Sequence, residues 1–475
     1  TVCTGRYELA FILDNTSGLN PFDPREIEVK ATFESPSGKR SRVDGFFYQS
    51  FTRMLEGDKE RLAPIGRPEW RVRFTPTEAG RYSFTLHVQT PRGTAAGAPR
   101  RFIAQPSPRL GFVRASAADP RLFECADGTP FYPIGLNIHA PFDVRAAEME
   151  RRRVSPNHGT FAYDRYFERL AAAGANTCVV WLAPWWLEIE WSREWRGFGG
   201  LGDFNLENAW RLDTLLGDAE RHGIRLHLVL ENHGKYSLWM DTQWDSNPYN
   251  RANGGMLERP EEFFASSAAA AAYRRKLRYL VARYASSPSV LGWELFGEMN
   301  LVGSNPRFAN HPSHARWIAA TARFIHETDP YRHLLAVHYS NDWRTVDPAV
   351  AALPELDYLV GDIYKPGGSI VDWVVETARR NGAYGKPTFS TEFGGYWNGG
   401  TPARLEADLH AGLWSNFMTP AAGAPFFWWF EFVDRNNLYA HLRALASFAG
   451  GENRCGILPT EEPPVAYAGS RNVRA

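Results

Sequence analysis

Over its first hundred residues the chain alternates apolar and polar positions with a period of two. Tyr7, Leu9, Phe11 and Leu13 fall on one face, and Ile27, Val29, Ala31 and Phe33 alternate with Glu28, Lys30, Thr32 and Glu34. Trp70, Val72 and Phe74, then Tyr82, Phe84, Leu86 and Val88, repeat the pattern on either side of 75-TPTEAG-80. Successive side chains of a strand point to opposite faces, so these runs predict half-buried strands. Turn formers such as 35-SPSGK-39 separate them and no helical run intervenes, which predicts a β-sandwich of immunoglobulin-like type over residues 1–105. The stretch 104-AQPSPRL-110 reads as a linker.

The pattern then changes to short apolar runs alternating with amphipathic helices. Candidate strands are 131–139, 176–184, 224–233, 290–298, 334–340, 357–364, 387–393 and 425–432; helix-like runs include 162–174, 268–285 and 438–449. Eight such repeats predict an α/β fold, a (β/α)8 TIM barrel over 106–450 preceded by the N-terminal β-sandwich. The tail 451–475 reads as a strand or an extended strap. Two long loops, 185–209 and 234–262, follow the second and third strands and belong on the carboxyl rim of such a barrel.

Lys+Arg and Asp+Glu both number 53, so there is no basic excess of the kind a nucleic-acid or anionic-membrane partner requires. No apolar run reaches the roughly 20 residues of a membrane helix. No charged-then-apolar leader precedes Thr1, so any signal peptide lies outside this numbering, and a secreted or periplasmic setting is expected. Cys178 sits in an apolar strand as a small hydrophobe, while Cys3, Cys125 and Cys455 lie near segment ends, where one disulfide is open to a secreted chain. His311 and His314 are spaced His-x-x-His with no accompanying carboxylate motif, so no metal and no cofactor are expected. Oligomeric state is not legible. The aromatic content, 14%, exceeds what a core alone demands.

Two stretches share one design. In 290-VLGWELFGEMN-300 and 387-PTFSTEFGG-395 a short strand ends on a glutamate, Glu298 or Glu392, within a polar or Gly-Gly turn. As the fourth and seventh strands of one barrel they deliver both carboxyls to the same rim. Glycosidic bond hydrolysis needs two carboxyls flanking one bond, one protonated and one ionised. Trp181, Trp185, Trp186, Trp191 and Trp195 on the second strand and its loop, with Trp239, Trp244 and Tyr249 in the next, supply flat faces for sugar rings. Asn137, His139 and His233 at strand ends and Asn300 in the turn after Glu298 are candidate ligands for hydroxyls. The charged run 145-RAAEMERRR-153 reads as solvated surface.

With 122-LFECADGTPFYPIGLN-137, 176-NTCVVWLAPWW-186, 247-NPYNRANGG-255, 293-WELFGE-298 and 390-STEFGG-395 in this order, the chain resembles the clan A retaining glycoside hydrolases, in particular family 5. Residues 20–39 and 45–53 resemble the domain of unknown function found before such barrels. The resemblance implies an acid/base at Glu298, a nucleophile at Glu392, and Tyr364 as hydrogen-bond donor to that nucleophile. It further implies His233 as a rim histidine, Trp428 or Trp429 as the floor of the attacked subsite, and Glu294 as a buried acid. Two positions depart from the pattern: Gly297 replaces an Asn before the acid/base, and Val179 replaces an Arg on the second strand that contacts the buried acid. His227 or His338 is then expected to take up Glu294, or Glu294 to be protonated.

These readings converge on a retaining β-glycosidase acting on a polysaccharide or oligosaccharide by double displacement. The alternatives are a catalytically weak glycan-binding barrel, motivated by Gly297 and Val179, and a hydrolase of a glycolipid or other modified glycoside, motivated by the apolar rim. The segment 45-GFFYQSFTR-53 is a candidate to reach the cleft.

Overall fold

The computed structural model describes residues 5–107, 111–304, 311–340, 347–364 and 367–457. The N-terminal part is two antiparallel sheets. One orders Tyr7–Phe11, Lys59–Phe74 and Phe46–Glu56; the other orders Arg40–Asp44, Glu28–Glu34, Gly80–Thr90 and Gly93–Ala96, with Arg100–Ala104 also on Gly80–Thr90. The period-two pattern fixes which face is buried: Val29, Ala31 and Phe33 are buried between half-buried polar neighbours and pair with Val88, Leu86 and Phe84. Phe33 stacks on Phe74 of the other sheet, ring centres 4.1 Å apart.

The long hairpin Phe46–Glu56/Lys59–Phe74 packs on the helices Leu206–His222 and Ser267–Tyr284. The Tyr279 hydroxyl donates to the Phe47 carbonyl at 2.9 Å, and the Arg211 guanidinium meets Glu60 at 2.6 Å. Arg73 donates to Asp213, which also takes the buried Arg283 at 2.6 Å. Residues 45–53 therefore brace helices; Arg53 ends on Asp164 of Thr160–Ala172 at 2.7 Å. This corrects the expectation that the segment reaches the cleft, because its aromatic side chains are spent on packing.

The second part opens with a small antiparallel sheet, Val113–Ala115, Phe123–Cys125 and Pro130–Phe131. Parallel strands follow in chain order: Gly135–Asn137, Thr177–Trp181, Arg225–Val229, Val290–Glu294 and Leu334–Ala336, then His338–Tyr339, Leu359–Ile363 and Thr388–Phe393. Only Val337 separates Leu334–Ala336 from His338–Tyr339. These strands are buried on both faces, as parallel strands between helices must be. Some of the helices between them start on side-chain caps: the oxygens of Asn205 and Ser266 accept from the Asn208 and Ala269 backbone N–H groups.

The predicted strand 425–432 is not a strand. Phe427 alone bridges in parallel to both Leu136 and Phe393, and the chain then turns into the helix Phe430–Arg435. Trp428, Trp429 and Phe430 are all buried. Of the tail, 451–457 lies along the fold, with the Arg454 guanidinium 4.5 Å from the Phe417 ring, and forms no strand; 458–475 fall outside the described residues. Cys125, Cys178 and Cys455 are free thiols, and Cys3 also falls outside. Among the described residues no helix is long and apolar enough to cross a membrane.

Candidate active site

Beyond the last ladder bond of Arg225–Val229 and Val290–Glu294, the two chains stay zipped. Gly297 N–H donates to the Glu231 carbonyl at 2.7 Å and His233 N–H to the Gly297 carbonyl at 3.0 Å. That register places the side chains of His233 and Glu298 together, with His233 Nδ1 2.9 Å from Glu298 Oε2. Glu298 itself adopts a left-handed backbone, φ +53° and ψ +50°. For a non-glycine residue this costs on the order of 1–3 kcal/mol and is retained where surrounding structure enforces it.

Glu392 lies in Thr388–Phe393, opposite Asp362 across a β-bulge. Tyr364 donates its hydroxyl to Glu392 Oε2 at 3.1 Å, the contact the resemblance implies. His338 Nδ1 stands 4.0 Å from Glu392 Oε1. Beneath the pair, Glu294 is fully enclosed: His227 Nε2 is 2.6 Å from its Oε2 and His338 Nδ1 is 3.6 Å from its Oε1. Tyr358 and His227 Nδ1 hydrogen-bond at 2.8 Å. His227 is the strand neighbour of Val179, so the partner missing at Val179 is supplied one strand over. A side chain at Gly297 would set its Cβ 3.3 Å from Glu294 Oε1.

Electrostatics distribute charge in a way the sequence does not reveal. Burial pushes Glu298 up, but His233, His338 and Arg145 together hold it below its usual value. Burial, and then the charge of Glu298, push Glu392 well above the carboxylate range. Burial opposes a charge on His233, yet Glu298 and Asp241 raise it to about 9; His338 rises to about 10 against burial through Glu294 and Glu392. Burial, with Glu298 adding to it, lifts Asp362 to about 7. The two carboxyls thus sit in unlike surroundings: cations face Glu298, while burial and the charge of Glu298 disfavour a second charge on Glu392.

One wall is aromatic. His139 stacks on Trp428 at 4.1 Å and 8°, and Trp181 stands edge-on to Trp428 at 5.7 Å. Burial lowers His139 to about 3, keeping it neutral. Among the described residues, Asn137 Oδ1, His139 Nδ1, Trp181 Nε1, Trp428 Nε1 and Glu392 Oε1 are buried without hydrogen-bond partners. Buried polar atoms are normally satisfied, so such a group is suited to a ligand rich in hydroxyls. Asn137 uses its amide nitrogen on the Thr391 carbonyl at 2.9 Å.

Other candidates sit differently. Trp429 has no exposed surface and gives its indole N–H to the Gly394 carbonyl at 2.9 Å, so of the two floor candidates only Trp428 belongs to the wall. Asn300 is tied to Ser340 backbone at both ends of its amide, 2.8 and 2.7 Å, and is committed to holding the turn. Trp185 is partly exposed, while Trp186, Trp191 and Trp244 are buried in their loops.

Sequence reading missed two features. Lys235 and Lys276 are buried against Glu188 and Glu231, with Lys276 contacting both glutamates at 2.8 and 2.6 Å and Lys235 contacting Glu231 at 2.9 Å. This closed set of four charges anchors the loop after the third strand, and nothing in the spacing of 188, 231, 235 and 276 announces it. Arg145 keeps 40% of its side chain exposed, as a surface residue does, and also pairs with Asp241 at 2.7 Å; Asp241 contacts His233 Nε2 at 3.1 Å. Arg152, of the same charged run, is enclosed between Glu150 and Glu431.

Residues 5–89 match the model of a domain of unknown function, DUF5060. The chain is 28% identical over 205 residues to the mannan endo-1,4-beta-mannosidase F of Aspergillus fumigatus, covering 39% of this chain and 43% of that enzyme. It is 28% identical over 197 residues to the mannan endo-1,4-beta-mannosidase A of Emericella nidulans, covering 39% and 48%. The aligned part thus spans less than half the length of these relatives. Among solved structures, a provisional glycoside hydrolase from Bacteroides vulgatus covers 90% of this chain and 71% of its own at 20% identity, TM-score 0.60. An endo-1,4-beta-mannanase from Rhizomucor miehei covers 71% and 99% at 18% identity, TM-score 0.50. The chain is similar in sequence to mannan endo-1,4-beta-mannosidases, and its fold is that of solved glycoside hydrolases.

Proposed function

We propose that this chain is a retaining O-glycosyl hydrolase of β-linked polysaccharide, with β-1,4-mannan the first substrate class to test. In this reading the parallel strands and the Phe427 bridges close a (β/α)8 barrel over 106–450, braced by an immunoglobulin-like sandwich over 1–105. The observation that carries it is the enclosed pair Glu298 and Glu392, the charge of Glu298 raising the proton affinity of Glu392, with Tyr364 on Glu392 and His233 facing Glu298. Similarity to the mannosidases supports the substrate class. An extracellular or periplasmic setting suits a polymeric substrate.

Glu392 attacks the anomeric carbon while Glu298 gives its proton to the departing glycosidic oxygen; Glu298 then takes a proton from the water that releases the sugar. The pair must therefore carry its single proton on Glu298 when substrate is bound. Positive charge developing at the anomeric carbon favours the ionised form of Glu392, and the glycosidic oxygen beside Glu298 favours its protonated form. Asn137, His139, Trp181 and Trp428 hold the sugar on the wall they line, and Trp185 is an outer platform.

The test is release of reducing ends from mannan, set beside β-glucan, xylan, galactan and bacterial exopolysaccharides, with Glu298→Ala and Glu392→Gln as controls. NMR of the first product should show the anomeric configuration retained. Glycan affinity without turnover in the folded protein would replace this reading with the binding barrel.

A further inference from the structure

The loop after the third strand folds back over His233. Ser237, fully buried, accepts from the Trp239 and Met240 backbone N–H groups through its Oγ, the second at 3.0 Å, and Asp241 turns with φ +47°. Gln243 N–H closes the turn on the Gly234 carbonyl at 2.9 Å. A Cβ at Gly234 would stand 2.6 Å from the Asp241 backbone oxygen, so the residue next to His233 must be glycine for Asp241 to arrive there. The imidazole then has a carboxylate on each nitrogen, Asp241 on Nε2 at 3.1 Å and Glu298 on Nδ1 at 2.9 Å. Arg145, from the helix Val144–Met149, shares the same Asp241 Oδ2 at 2.7 Å.

We infer that Asp241 is a positioning residue that holds His233 as a cation against Glu298 and so sets how the site's proton is divided between Glu298 and Glu392. An imidazole hydrogen-bonded to one carboxylate through Nε2 and facing a second across Nδ1 is stabilised in its charged form. Asp241 therefore never touches the sugar but acts through His233. The other charged or titratable groups around Glu298 and His233 are Arg145, His338, Asp362, Tyr364 and Glu392, with Glu294 below; none of them contacts His233 Nε2. That leaves Asp241 as the group whose removal changes His233 first.

The kinetic part of this inference rests on the hydrolase reading; its structural part does not. Histidine labelled with 15N in the full chain, with His233→Gln to assign the resonance, reports the imidazole proton directly. In wild type His233 should stay cationic through pH 8, and in Asp241→Asn it should lose its proton at least about one pH unit lower. Asp241→Glu should restore most of the shift, and Asp241→Ser provides a second neutral variant if Asp241→Asn does not fold. On mannan, the alkaline limb of kcat/KM should move upward in Asp241→Asn, because Glu298 without a cationic neighbour keeps its proton to higher pH. An unchanged His233 titration in a folded neutral variant overturns the inference, whatever the activity. A shifted titration in a protein inactive on every polymer sustains the role of Asp241 and removes the hydrolase reading instead.

Discussion

His227 Nε2 lies 2.6 Å from Glu294 Oε2, on the strand beside Val179 and level with it. The carboxylate under the candidate pair therefore has a partner although the expected arginine is absent. His227 is in turn held by Tyr358 at 2.8 Å, so the three side chains form one enclosed chain of hydrogen bonds. Removing one partner of a buried ionic contact leaves the other uncompensated, at a cost of about 3–5 kcal/mol. Denaturant unfolding of His227→Ala should show a loss of that order, and a loss below about 1 kcal/mol would mean that His338 alone suffices.

The two glutamates should fail differently. On the proposed mechanism Glu392→Gln removes the group that attacks carbon and should abolish turnover of every substrate. Glu298→Ala removes the proton donor and should cost about a hundredfold to ten-thousandfold on polymer. An aryl glycoside whose leaving group needs no proton should lose far less in its first step. Equal losses of Glu298→Ala on both substrates would contradict the acid role.

Tyr364 packs its ring against the apolar core and donates its hydroxyl to Glu392, so removing the hydroxyl alone leaves the packing in place. A hydrogen bond to a charged group contributes about 1.5–3 kcal/mol. Tyr364→Phe should thus lower kcat/KM by roughly tenfold to a hundredfold while leaving Tm close to wild type. A large fall in Tm with proportionate loss of activity would mark the hydroxyl as structural.

Glu190 gives a pH signature away from the reaction. Burial raises it from 4.5 to about 7, and only its Oε1 is satisfied, by the Gly202 N–H at 2.7 Å. Between those two values the folded chain keeps a proton that the unfolded chain has released, so stability falls as pH rises, by up to about 1.4 kcal/mol per unit. Above pH 7 the effect is complete. Glu190→Gln lacks this dependence, so wild type should lose stability relative to the variant between pH 5 and 7. Parallel curves for the two proteins would show that Glu190 titrates normally.

The charges that set the site were the least legible part of the chain. The period-two alternation around Val29, Ala31 and Phe33 identified strands because every strand must choose one face to bury. The strand-end glutamates at 298 and 392 were visible for the same reason: a polar residue closing an apolar run has to emerge somewhere. The aromatic run at 425–432 misled, since strand and helix both bury consecutive large side chains and only the Phe427 bridges decide between them.

What sequence by itself determined was local: periodicity, turn chemistry, and which residues stand at strand ends. Tertiary structure alone decided which charges meet. Arg145 and Asp241 are 96 residues apart, and Lys276 lies 45 residues from Glu231. Whether such groups are solvated or paired depends on loop paths across the rim, which carry no periodic signal. Proton affinity follows from burial and from neighbours within a few ångströms, so the unlike surroundings of Glu298 and Glu392 could emerge only once those distances were fixed.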